Sequence, residues 1–151
     1  MTIAVDFDGT IVEHDYPKIG KPIPFALEVL RKLHQEEHHK LILWTMREGR
    51  LLQEAVDFCA KNGVYFYAHN KNYPEEDFQD GDPRKIAADI YIDDRNVGGL
   101  PDWGTIYTLV KTGGNIAQNF DAILSNSSSR SAKNWLIRLG ESWERAKTYN
   151  Y

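Results

Sequence analysis

A chain of 151 residues with 42% hydrophobic and 26% charged side chains has enough apolar material for one compact core. Its formal net charge of −4 supplies no global field to recruit nucleic acid or an anionic membrane. No apolar run reaches membrane-spanning length, no secretory pattern precedes the first predicted strand, and the lone Cys59 excludes an internal disulfide. The expectation is therefore a cytoplasmic protein without a membrane partner.

Thr2 to Val5 reads as the first strand, because its β-branched run favours a buried extended backbone. It leads straight into Asp6-Phe7-Asp8-Gly9-Thr10, two carboxylates one residue apart entering a glycine-threonine turn. Residues 11–24 carry Pro17, Gly20, Pro22 and Pro24 and predict an irregular or hairpin excursion, a flap. Pro24 opens a helix whose apolar stripe includes Phe25, Leu27, Val29, Leu30 and Leu33. Leu41 to Trp44 is a second buried strand, ending at Thr45. Gly49 to Lys61 predicts a second helix, with Leu51, Leu52, Ala55, Val56 and Phe58 inward and Asn62-Gly63 as its stop. Cys59 falls within that apolar pattern, which makes it a buried structural thiol rather than a nucleophile.

Val64 to Ala68 reads as a third strand, shorter and more aromatic, followed by a polar, proline-bearing loop over 69–83. A short helix around Arg84 to Ala88 is expected before the fourth strand, Ile90-Tyr91-Ile92, which ends in Asp93-Asp94. Thr105 to Val110 permits either a strand or a helix. Residues 125–131 are a Ser-rich loop or linker, and Trp135, Leu136, Leu139 and Trp143 fall at the spacing of a terminal docking helix. The alternation of strands and helices predicts an α/β fold with a mainly parallel sheet. The division expected is a core over 1–114 and an extension over 115–151, whose slight basic excess makes no nucleic-acid arm.

Ligands of open α/β sheets collect outside the carboxyl ends of the strands. Those ends carry Asp6 and Asp8, then Thr45, then Asp93 and Asp94, with Lys85 just ahead of the fourth strand. A divalent cation prefers such hard oxygen ligands, and Gly9 lets the backbone turn closely around an anion. The set suits phosphoryl transfer, with a carboxylate nucleophile, a proton shuttle and donors for phosphoryl oxygens.

In this order the residues resemble the four motifs of the haloacid dehalogenase-like (HAD) superfamily of hydrolases. Asp6-Phe7-Asp8-Gly9-Thr10 matches its DxDx[TV] motif, and Leu41-Ile42-Leu43-Trp44-Thr45 its apolar strand ending in Thr or Ser. Lys85 fits its lysine, and Ile90-Tyr91-Ile92-Asp93-Asp94 the strand closed by an acidic pair; the resemblance spans residues 1 to about 110. It implies a single Rossmann-like domain with strand order 5-4-1-2-3, acting as a Mg²⁺-dependent phosphomonoesterase. It makes Asp6 the nucleophile that becomes an aspartyl-phosphate and Asp8 the general acid/base. Thr45 would donate to a phosphoryl oxygen, and Lys85, rather than its neighbour Arg84, would neutralise charge. Mg²⁺ would be held by the carboxylates of Asp6 and Asp93 and the main-chain carbonyl of Asp8. Asp94 would act behind them or through water. The acid at Asp8 favours a phosphatase over a dehalogenase. No segment is long enough for a cap domain, so the resemblance implies a capless enzyme for large substrates or one borrowing a lid within a homo-oligomer.

Around these, Arg47 could bind an anionic substrate group or form a surface ion pair, and both readings stay open. Asn70, Lys71 and Asn72 are candidates for the rim, and Glu13, His14 and Lys18 for the flap. Glu36, Glu37, His38 and His39 suit a solvated helix end better than a metal cluster, since adjacent helical residues point apart. A phospho-acceptor without enzymatic turnover, like a two-component receiver, and a metal-dependent nuclease are the alternative readings. The first is disfavoured by an acceptor on the first strand, the second by the lack of a basic patch.

Overall fold

The computed structural model describes residues 1–77 and 85–113. Four parallel strands pair in the order β3-β2-β1-β4: β1 (Thr2–Val5), β2 (Lys40–Leu43), β3 (Ala68–His69) and β4 (Ile90–Ile92). Ala4 lies between Ile42 and Tyr91 in register, and Val5 between Leu43 and Ile92, so the carboxyl ends of β2, β1 and β4 line up. Two further bonds carry the ladders past these ends, Trp44 N–H to the Val5 carbonyl and Asp6 N–H to the Ile92 carbonyl, both 2.9 Å. Helices α1 (Ala26–Gln35) and α2 (Gly49–Lys61) form the crossovers from β1 to β2 and from β2 to β3.

Strand alternation divides the core into two layers. Ile3, Val5, Leu41, Leu43 and Ile92 lie on one face and are buried. Ala4 and Ile42 lie on the other, where Ile86, Trp44, Ala88 and Tyr91 cover them. The chain divides into two compact units, Met1–Leu100, which holds the sheet, and Pro101–Tyr151, of which α3 (Trp103–Lys111) is described.

Several boundaries differ from the sequence reading. Phe25 does not join the inward stripe of α1: it precedes the helix at φ 66° and is 70% exposed. The third strand is only Ala68–His69, because Val64 donates its N–H to the Cys59 carbonyl and closes α2, and pairing with β2 begins with Tyr67 N–H to the Leu41 carbonyl. The helix expected around 84–88 is not formed over its described residues, 85–88. Ala87 N–H donates to Asn72 Oδ1, and the Ile86 carbonyl accepts from the Tyr91 hydroxyl, so side chains take up the backbone groups. Residues 105–110 are helical within α3, whose N-cap Asp102 accepts from Gly104 and Thr105 N–H at 3.1 and 3.0 Å. The sheet has four strands among the described residues, one fewer than expected. Arg84 and the expected extension over 115–151 lie outside the described residues.

Candidate functional site

The site begins where β1 runs out. Asp6 remains tied to β4 by its own N–H, while its carboxylate accepts from the Thr10 hydroxyl at 3.1 Å and from Phe7 N–H. Between these anchors the chain turns through Gly9 at φ 89°. Ile11 and Val12 N–H donate back to the Phe7 carbonyl, and Gly9 N–H donates to the Val12 carbonyl at 2.7 Å. The turn brings Thr10 back beneath Asp6. Buried Thr10 also accepts from Asp94 N–H at 3.0 Å, so one hydroxyl joins the first and fourth strand ends.

Asp6, Asp93 and Asp94 each offer a carboxylate oxygen, and the three oxygens lie within 4.8 Å of one another. Burial pushes the Asp6 carboxyl up to about 6, and repulsion from Asp93 and Asp94 adds to that; the Phe7 and Thr10 hydrogen bonds oppose it. Asp94 Oδ1 is buried and accepts no hydrogen bond among the described residues. Clustered carboxylates with a free buried oxygen are the donor chemistry of a hard divalent cation, so these residues fit one. Asp94, which the sequence reading sets behind the cation or bridged to it by water, offers a carboxylate oxygen to this group alongside Asp6 and Asp93.

Asp8 points elsewhere. Its two oxygens accept from Arg47, Oδ2 from Nε and Oδ1 from Nη2, both at 2.7 Å. Arg47 is fully buried and also donates to the Pro17 and Lys18 carbonyls at 3.0 and 2.7 Å. The Asp8 hydrogen bonds hold its guanidinium above the usual arginine range. Arg47 is thus an internal clamp between the β1 exit and residues 17–18, not a side chain at the mouth awaiting an anion.

Thr45 follows β2 and is half-buried; its N–H donates to Asn70 Oδ1 at 2.8 Å, and its hydroxyl oxygen accepts from Arg47 N–H at 3.3 Å. Among the described residues that hydroxyl donates no hydrogen bond. Asn70, placed at the rim by sequence, spends both ends of its amide on the backbone, since Nδ2 donates to the Arg47 carbonyl at 3.1 Å. Lys85 is exposed, with Nζ 5.1 Å from the centroid of the Tyr91 ring, and makes no ion pair with Asp6. The structure therefore brings Asp6, Asp93 and Asp94 together, aligns Thr45 on the neighbouring strand end, and leaves Lys85 on Tyr91.

Two participants went unrecognised or unassigned in the sequence. Thr10 counted only as a motif letter, although its hydroxyl links Asp6 and Asp94. His14 was one of three flap candidates, and its Nε2 lies 3.1 Å from Asp94 Oδ2. Cys59 is buried and its thiol is pushed up to about 12 by burial, which suits a structural role.

Fold and site define an α/β domain with an acidic cluster at the carboxyl edge of a parallel sheet. No family model matches the chain, and no curated protein does. Among solved structures it is similar to the conserved protein coded by a locus of Bacteroides thetaiotaomicron, with 62% identity and a TM-score of 0.71. The match covers 78% of this chain and 94% of that one, and the chain belongs to the family of that conserved protein. No helix among the described residues is long and apolar enough to cross a membrane.

Proposed function

We propose that this chain is a capless phosphomonoester hydrolase of the haloacid dehalogenase-like type, with Asp6 as nucleophile and Mg²⁺ as cofactor. The observation that carries the reading is the meeting of Asp6 with Asp93 and Asp94, oxygens within 4.8 Å, at the end of a central parallel strand. The strand order β3-β2-β1-β4 supports it, and a fifth strand beyond β4, giving 5-4-1-2-3, is part of the proposal, as is a flap over residues 11–24.

In this reading an Asp6 oxygen attacks phosphorus, and the ester oxygen leaves with a proton from Asp8. Asp8 then takes a proton from water, whose oxygen attacks the aspartyl-phosphate and frees inorganic phosphate. Both Asp8 oxygens accept from Arg47 in the free protein, so proton transfer requires that pair to open. Thr45 gives its hydroxyl hydrogen to a phosphoryl oxygen, and Lys85 leaves Tyr91 to offset phosphoryl charge. Asp6, Asp93 and Asp94, with the Asp8 main-chain carbonyl, would hold Mg²⁺, which supplies charge neutralisation at the phosphoryl group.

The test is phosphate release across many phosphorylated metabolites. Asp6→Asn should cut turnover on the order of a thousandfold or more while the protein stays folded. Asp8→Asn should slow the phosphorylating step far more for alkyl esters than for nitrophenyl esters, whose leaving group needs little protonation. Equal first-step losses would remove Asp8 from the acid role. A second reading, a phospho-acceptor without turnover, is favoured by the Arg47 clamp on Asp8, which withholds the base needed for dephosphorylation. Long-lived phosphorylation of the unmutated protein with negligible turnover would establish it.

A further inference from the structure

Asp94 is held through its N–H and one carboxylate oxygen, and its other carboxylate oxygen is free. Its N–H donates to Thr10 Oγ1 at 3.0 Å, its Oδ2 meets His14 Nε2 at 3.1 Å, and its Oδ1 is buried without a hydrogen-bond partner among the described residues. A carboxylate oxygen buried in that state is costly unless a cation or donor arrives to meet it. The imidazole reaches Asp94 across Gly9. A Cβ on Gly9 would stand 2.4 Å from His14 Nε2 and 2.6 Å from Asp94 Oδ2, and its φ of 89° disfavours any side chain as well. The glycine of the turn therefore keeps open the contact between these two residues, 80 positions apart.

His14 is half exposed and sits on a segment with its own anchors. Glu13 N–H donates to the Lys21 carbonyl at 2.8 Å, and Ile23 N–H to the Ile11 carbonyl at 2.9 Å. This contact couples that segment to the acidic cluster through one side chain. We propose that His14 is a positioning residue for the cation site: by donating to Asp94 Oδ2, it fixes the carboxylate so that Oδ1 is offered to a divalent cation. The physics is that of a histidine orienting a metal-binding carboxylate, where the outer hydrogen bond sets the direction of the inner oxygen. Coupling of this kind is reciprocal, so a cation held by Asp94 also holds residues 13–16 in place.

The inference rests on the cation site of the proposed function and is tested apart from turnover. The full chain is stripped with chelator and titrated with Mg²⁺ by calorimetry, as the unmutated protein, His14→Ala, His14→Gln and Lys21→Ala. His14→Ala should weaken Mg²⁺ binding by about 10–100-fold, with circular dichroism and melting in chelator little changed. His14→Gln retains a nitrogen donor and should recover much of the loss, and Lys21→Ala should bind like the unmutated protein. Hydrogen exchange of residues 13–16 should slow on adding Mg²⁺, and less so in His14→Ala. Equal affinities for the unmutated protein and His14→Ala would overturn the role of His14 and leave the cation site standing. An unmutated protein that binds no Mg²⁺ would overturn both.

Discussion

At Arg47 a fully buried charge is matched group by group: Nε and Nη2 on Asp8, Nη1 on the Pro17 carbonyl, Nη2 also on the Lys18 carbonyl. The guanidinium carbon also lies 5.0 Å from the Phe7 ring centroid and 5.4 Å from that of Tyr16. Removing Arg47 leaves the Asp8 charge and the Pro17 and Lys18 carbonyls without these donors. Arg47→Met is expected to cost about 3–5 kcal/mol in urea unfolding. Adding Asp8→Leu should return part of that loss, because an uncompensated charge is worse than none. Simply additive losses would show that the pair is not coupled. The sequence left Arg47 open between anion binding and an ion pair. Its partner is 39 positions away, and only the register that aligns the ends of β1 and β2 brings the two together.

Among the elements, α2 was the most legible. Its helical spacing and the Asn62-Gly63 stop are local signals, and Gly63 at φ 76° closes the helix through Val64 N–H on the Cys59 carbonyl. The same closure hid the true start of β3, since the residue that looked like its first member caps the helix before it. Residues 85–88 look helical in the sequence but are not, because their backbone partners, Asn72 and Tyr91, come from outside any helical pattern. The acids at the ends of β1 and β4 were legible because parallel strands deliver their carboxyl ends to one edge; the Thr10 and His14 contacts were not. Asn70 joins β3 to the turn after β2, with φ 52° and both amide ends bonded to that turn. Asn70→Gly keeps the backbone free to adopt that φ but loses two hydrogen bonds, an expected cost of about 1–3 kcal/mol. Asn70→Ala loses the same bonds and adds left-handed strain, roughly 1–2 kcal/mol more. Equal melting of the two variants would show that the backbone strain is not felt.

For the whole molecule, the acidic cluster sets folding stability against cation binding. Asp6 binds its proton more tightly when folded, near 6, than at its ordinary value of 3.8. The stability this group contributes is fully present below its ordinary value and is lost as pH rises through about 6. Near neutral pH the metal-free protein therefore carries a partly buried ionised carboxylate facing Asp93 and Asp94. Asp6→Asn removes that charge and keeps an acceptor for Thr10. In chelator at pH 7 the variant should be more stable by on the order of 1–3 kcal/mol, a melting rise of several degrees. The advantage should shrink toward pH 4, where Asp6 of the unmutated protein is protonated too. Mg²⁺ acts in the opposite sense, because it stabilises the ionised cluster by mass action: about 2.7 kcal/mol at a hundred times its Kd. That gain should appear in the unmutated protein and be largely lost in Asp6→Asn and Asp93→Asn. Melting followed over pH 4–8, with chelator and with millimolar Mg²⁺, separates the two effects. A chelated Asp6→Asn that melts below the unmutated protein at pH 7, or a difference that ignores pH, would contradict the charge argument. An unmutated protein that binds Mg²⁺ with no rise in melting would contradict the claim that the cation relieves the cluster's repulsion.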